Sequence, residues 1–221
     1  MISYYTYQRR EILPLLPKVA TNILEIGAAT GRTLRWMKTI YPTAMTTGVE
    51  LSEALRKELS QNADVSIIGD INQCLPQLKR YDLILLLDVC EHLVDPGYLL
   101  RSLRQLLEPG GHVIVSIPNI AHLSVTIPLL FARRFTYQDA GILDRTHLRF
   151  FVEDTAIKLL NDAGLQVTKG LLKGPKGRKA KIIDRLSFGL LRHHLTIQYI
   201  LLGELCDGEI RQQAVNWMTA E

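Results

Sequence analysis

Among the six histidines of the 221-residue chain, His147 has the neighbours that suit proton transfer. An imidazole titrates near pH ~6.5, so at neutral pH it can take the proton of an attacking hydroxyl. Asp144, three residues earlier, could orient the ring, and Arg145 and Arg149 could steady an anionic reactant. The bland alternative is that His147 caps a helix or packs under a loop. His122 is a second imidazole of the same kind. A further constellation, Asp88-Val89-Cys90-Glu91-His92, offers two carboxylates and an imidazole. Such a set can move protons or hold a divalent ion, or His92 is simply hydrogen-bonded near a sheet edge. Two more acids, Glu50 and Asp70, each close an apolar run. Carboxylates at the ends of strands accept hydrogen bonds from ligand hydroxyl and amino groups, although acids are also common in such loops.

These groups need a scaffold, and residues 22–31, Asn-Ile-Leu-Glu-Ile-Gly-Ala-Ala-Thr-Gly, organise it. A short apolar run bounded by glycine reads as a buried strand, and the Gly-rich turn feeds a helix from Arg32. Met45–Glu50, Val65–Asp70, Tyr81–Asp88 and His112–Ile117 read as further strands, with Leu165–Leu172 and Thr196–Glu204 as the sixth and seventh. Between them, Ser52 looks like the cap of a helix through Glu58, Asp95-Pro96 opens one through Leu107, and Val152–Ala163 forms another. Residues 6–17 suggest a short amphipathic helix. The alternation predicts an α/β fold, a doubly wound, mostly parallel seven-stranded sheet. The glycine spacing disfavours two ligand classes. A G-x-G-x-x-G fingerprint fails at Ala29 and Arg32, and Gly31-Arg32-Thr33 lacks the lysine of a phosphate-binding loop.

What remains, Glu25-x-Gly27-x-x-x-Gly31, resembles the first motif of class I S-adenosylmethionine-dependent methyltransferases, with Ala29 in place of its middle glycine. Pro109-Gly110-Gly111, preceded by Leu106-Leu107-Glu108, is similar to the family's motif before the fifth strand. Asp144–Phe151 resembles a segment of methyltransferases from glycan and secondary-metabolite pathways. Asp88-x-x-Glu91-His92 resembles the metal-binding pattern of the ubiquinone-biosynthesis O-methyltransferases, with Asp88 in place of their Glu; relatives with the same Glu-His pair work without metal, and the expectation here is no metal. The resemblance implies a Rossmann-like methyltransferase fold with an antiparallel last strand and S-adenosylmethionine as cofactor. It puts Glu50, with Leu51, on the ribose diol and Asp70, with Ile71, at the adenine. Glu25, Gly27, Ala29 and Gly31 shape the methionine end, Asp88 faces the transferred methyl, and His147, His92 and Glu91 stand on the acceptor side. The implied reaction is methylation of a small-molecule hydroxyl on a sugar, lipid precursor or phenol. N- or C-methylation, and a non-catalytic cofactor-binding partner subunit, are the alternatives.

The chain length suits one domain spanning 1–221. Residues 119–151 are too long for a plain connection and read as a lid over the acceptor site. Residues 173–181 form a basic loop, either a solvated linker or a contact for an anionic substrate or membrane surface. A net charge of +4 permits an anionic acceptor without demanding nucleic acid. No apolar run is long enough to span a bilayer, and the N-terminus does not read as a signal peptide. Three scattered cysteines favour a reducing, cytoplasmic setting. The oligomeric state is left open.

Overall fold

The computed structural model describes residues 7–174, 182, 184–187, 190–206, 210 and 214–220. Its strands are β1 (Asn22–Ile26), β2 (Met45–Glu50), β3 (Val65–Ile68), β4 (Tyr81–Leu87), β5 (Leu107–Pro118), β6 (Leu165–Lys173), β7 (Gln198–Leu205) and β8 (Asn216–Thr219). They form one sheet in the order β3-β2-β1-β4-β5-β7-β6-β8. β7 runs antiparallel to both its neighbours, and the other pairings are parallel. Among the described residues the α-helices include α1 (Arg32–Ile40), α2 (Arg56–Asn62), α3 (Ile71–Cys74), α4 (Pro96–Arg104), α5 (Leu123–Ala132), α6 (Glu153–Asp162) and α7 (Arg192–Leu195).

β4 shows why the sheet is wound on both faces. Ile84 and Leu86 enter one core with Leu99, Leu100 and Leu103 of α4 and Ala156 and Leu160 of α6. Leu83, Leu85 and Leu87 alternate into the other, with Leu34 and Met37 of α1, Leu59 of α2, and Ile12 and Leu15. A strand buried on both faces must be apolar at every position, and each such side chain contributes about 1.5–3 kcal/mol when fully withdrawn from water.

The strand count is eight rather than seven. β8 is four residues long and lacks an alternating apolar pattern, so periodicity gave no sign of it. It docks by tertiary fit: Trp217 fills the space over Gly170, where a Cβ would come within 2.3 Å of the indole. The helix expected over residues 6–17 does not form as an α-helix among the described residues 7–17, where Arg10–Leu15 is a 3-10 helix. Ser52 does not cap with its side chain. Its N–H instead donates to Glu50 Oε1 at 2.9 Å, and a 3-10 turn, Glu53–Leu55, delays α2 to Arg56. Asp95 does cap α4, accepting from the Tyr98 N–H at 2.8 Å. That helix ends at Arg104 because Leu107 already pairs with Tyr81 as the start of β5.

Candidate functional site

The strand order reverses between β1 and β4, which opens a crevice at the carboxyl ends of these strands. Two cavities meet there. One, about 330 Å³, is lined by Arg9, Glu25, Ala29, Thr33 and Lys173, among others. The other, about 300 Å³, is lined by Glu50, Leu51, Asp70, Ile71, Val89 and His92, among others. Gly27 and Asp88 line both and form the waist between them. Gly27 has φ +68°, and a Cβ there would lie 2.8 Å from Val89 Cγ2, so only glycine keeps the waist open.

Ala29 holds φ +47°, the left-handed conformation that the missing glycine would favour. An alanine there costs about 1–2 kcal/mol, and the Ala29 N–H offsets part of it by donating to Glu50 Oε2 at 2.8 Å. The buried Glu50 carboxylate therefore ties the tip of the glycine turn to the end of β2. Gly31 lines neither cavity. It begins α1 with φ +74°, and a Cβ would press on Leu59 and Asn62, so it sets α1 against α2. The Asp70 side chain caps α3, with Oδ1 accepting from the Asn72 backbone N–H at 2.8 Å, at the exposed rim of the second cavity.

The first cavity holds residues that no motif announced. Arg9 is buried, and its guanidinium donates to Asp88 Oδ2 (2.7 Å), Ser116 Oγ (3.0 Å), Gln198 Oε1 (3.2 Å) and Glu11 Oε1 (2.8 Å). Ser116 Oγ and Gln198 Nε2 hold the other Asp88 oxygen, and Asp88 itself sits at φ +62°. Such strain persists only where the surroundings over-determine it. Lys173, expected in the basic loop, ends β6 and bonds Glu11 at 2.8 Å. Residues 175–181 of that loop lie outside the described residues. Burial would raise the Glu11 carboxyl, but Arg9 and Lys173 hold it below the ordinary carboxylate range. Glu25 differs. Burial pushes its carboxyl up to about 8 against the pull of Arg9 and Thr33, and its Oε2 has no hydrogen-bond partner.

Next to the waist, the structure brings Glu91, His92 and His147 together, with one ligand atom of each within 4.8 Å of the others. Leu148 N–H and Arg149 N–H donate to the Glu91 carbonyl at 2.8 and 3.0 Å, which pins the loop carrying His147 over this turn. Both Glu91 carboxyl oxygens are buried without partners, and burial, with Asp88 next, raises this acid well above the carboxylate range. His147 Nδ1 lies 3.0 Å from the Ile142 carbonyl, which can only accept, so this nitrogen carries the proton and Nε2 is left as the base. Burial also lowers the His147 pKa, so the ring is neutral at pH 7.

Asp144 does not orient His147. Its Oδ1 accepts from Thr146 N–H (2.8 Å) and Thr146 Oγ1 (2.6 Å), and Ile142 does the orienting. Arg145 pairs with Asp139, and Arg149 donates to the Val94 carbonyl, so neither stands free for an acceptor. His122 caps α5, its Nδ1 accepting from the Ser124 N–H. The Asp88-Glu91-His92 donor set is not assembled as a metal trio, because both Asp88 oxygens are taken by Arg9, Ser116 and Gln198.

Known proteins resemble the chain in sequence and in fold. The ubiquinone biosynthesis O-methyltransferase of Proteus mirabilis is 30% identical over 103 residues, covering 44% of this chain and 42% of that protein. The one from Dinoroseobacter shibae is 30% identical over 111 residues, covering 48% and 44%. The matches thus span less than half the length of these relatives. An S-adenosylmethionine-dependent methyltransferase from Mesorhizobium loti shares the fold, with a TM-score of 0.58 over 87% of this chain and 95% of that one, at 17% identity. Residues 3–169 match the family described as the methyltransferase domain, and with that span taking in the glycine turn, both cavity floors and the His147 loop, the chain belongs to this family.

Proposed function

We propose that the chain transfers a methyl group from S-adenosylmethionine to a hydroxyl of a small-molecule acceptor, a sugar, lipid precursor or phenol. The observation that carries this reading is the waist at Gly27 and Asp88. It joins a cavity with buried charged groups to one with an apolar floor, and His92, which lines the second cavity, packs against the neutral His147 at 4.8 Å between ring centres. The orphaned Glu25 oxygen and the open Gly27 cradle fit the methionine end of such a cofactor. When bound, the cofactor supplies a methyl group on a sulfonium, a leaving group that needs no acid. The protein's work is then alignment and proton removal. Glu50 and Leu51 would hold the ribose, Asp70 and Ile71 the adenine, and Glu25 the amino group. Nε2 of His147 would take the hydroxyl proton, with His92 and Glu91 close by. The loop 142–151 would cover the acceptor.

A panel of hydroxylated acceptors, scored by release of S-adenosylhomocysteine, tests this reading. Turnover is expected to persist in EDTA if Glu91, His92 and His147 serve proton transfer. Loss in EDTA with recovery on adding magnesium or manganese would replace the proton-transfer role of Glu91, His92 and His147 with a metal site.

The Glu25 carboxyl gives a second expectation. A cofactor ammonium calls for the carboxylate, yet burial pushes the Glu25 carboxyl up to about 8. Ionising it costs free energy below that pH, so S-adenosylhomocysteine affinity should climb from about pH 6 to about pH 8, by up to roughly tenfold per unit. Glu25→Gln should flatten the slope. Calorimetry showing the same slope in both proteins would remove Glu25 from the ammonium.

A further inference from the structure

α5 is apolar almost all round. Of Leu-Ser-Val-Thr-Ile-Pro-Leu-Leu-Phe-Ala only Val125 is buried, while Leu130 is 74% and Phe131 79% exposed. Ile127, Leu129, Phe135 and Tyr137 extend the exposed face. A helix of this composition belongs in a core or in lipid. At ten residues it is about 15 Å long, half of what a hydrocarbon core requires, so it cannot span one. Its end is cationic. Arg133, at φ +51°, ends the helix, and Arg134 follows; both are exposed, and no carboxylate pairs with either among the described residues. No Asp or Glu occurs between residues 119 and 138.

We infer that α5 and the segment through Tyr137 dock on an anionic lipid surface, with Leu130 and Phe131 entering the acyl boundary and Arg133 and Arg134 among the headgroups. Exposed apolar side chains enter the acyl boundary, and the basic residues that follow them meet the anionic headgroups. A second copy of the chain fits the face less well. A two-fold contact centred on this tip would set two Arg133-Arg134 pairs against each other, with no acid in residues 119–138 of either copy to neutralise them. The docking face is continuous with the site: Phe135 packs on Phe150 at 5.9 Å, and Phe150 on His147 at 6.3 Å between ring centres. A surface bound here therefore adjoins the loop that carries Phe150 and His147.

Sedimentation with vesicles tests this without reference to cofactor or turnover, so its outcome is independent of the proposed reaction. The chain should pellet with phosphatidylcholine vesicles containing phosphatidylglycerol, and much less with phosphatidylcholine alone. The double variant Leu130→Asp with Phe131→Asp should lower partitioning at least about tenfold while keeping the native melting temperature, because both side chains are already in water. Arg133→Glu with Arg134→Glu should remove the preference for anionic vesicles. Failure of the native chain to pellet with either vesicle, or undiminished pelleting of both variants, would overturn the inference. So would a dimer in light scattering that the Leu130 and Phe131 substitutions disperse, since the face would then be covered by a second copy.

Discussion

Replacing His147 by alanine is expected to lower turnover by roughly 10²–10⁴, the usual range for losing a general base, while S-adenosylhomocysteine affinity stays within about twofold of native. The ring has what a base needs. It is neutral, its tautomer is fixed by the Ile142 carbonyl, and it packs at 4.8 Å between ring centres against His92, which lines the second cavity. Because burial lowers its pKa, native turnover should hold to slightly lower pH than an exposed imidazole would allow, and fall only once the ring protonates. A lost packing contact would act differently, lowering the melting temperature without a selective loss of turnover. Native rates for His147→Ala across about pH 6–9 would make the residue structural and move the base to His92.

Glu50→Ala should weaken S-adenosylhomocysteine by roughly tenfold to a hundredfold, as befits charge-assisted hydrogen bonds worth about 1.5–3 kcal/mol. The carboxylate does two jobs that a truncation removes together: it faces the second cavity, and it accepts from the N–H groups of Ala29 and Ser52. Glu50→Gln separates them. It keeps one carbonyl oxygen for a backbone donor but loses the charge, so it should retain more stability than Glu50→Ala while still binding the cofactor weakly. Calorimetry and thermal melts on both variants check this. Unchanged affinity in Glu50→Ala, or native binding of NAD as tight as that of S-adenosylhomocysteine, would take Glu50 off the ribose.

Much of the frame was legible locally. β1 and β4 were predicted within a residue or so because a parallel strand buried on both faces is a largely apolar run whatever its partners. Asp95 before Pro96 marked the start of α4 because a cap acts within one turn. The deviations share a cause too. β8 forms because Trp217 finds the gap at Gly170, and Ser52 gives up its cap because Glu50 takes its N–H. In each case a contact that local pattern does not carry decided the element.

The same divide runs through the site. By itself the sequence determined the glycine turn, the acids closing β2 and β3, and the cluster after β4, since all of these are runs of neighbouring residues attached to strands. Tertiary structure alone decided that Arg9 reaches Asp88 across 79 positions, that Gln198 joins it across 110, and that His147 comes to Glu91 and His92 while Asp144 turns to Thr146. Spacing along a chain fixes which side chains share a turn or a strand face. Which loops meet is fixed by the order of strands in the sheet and by backbone pairs such as Leu148 N–H with the Glu91 carbonyl, and those form only once the closed core has met the entropy cost of bringing distant segments together.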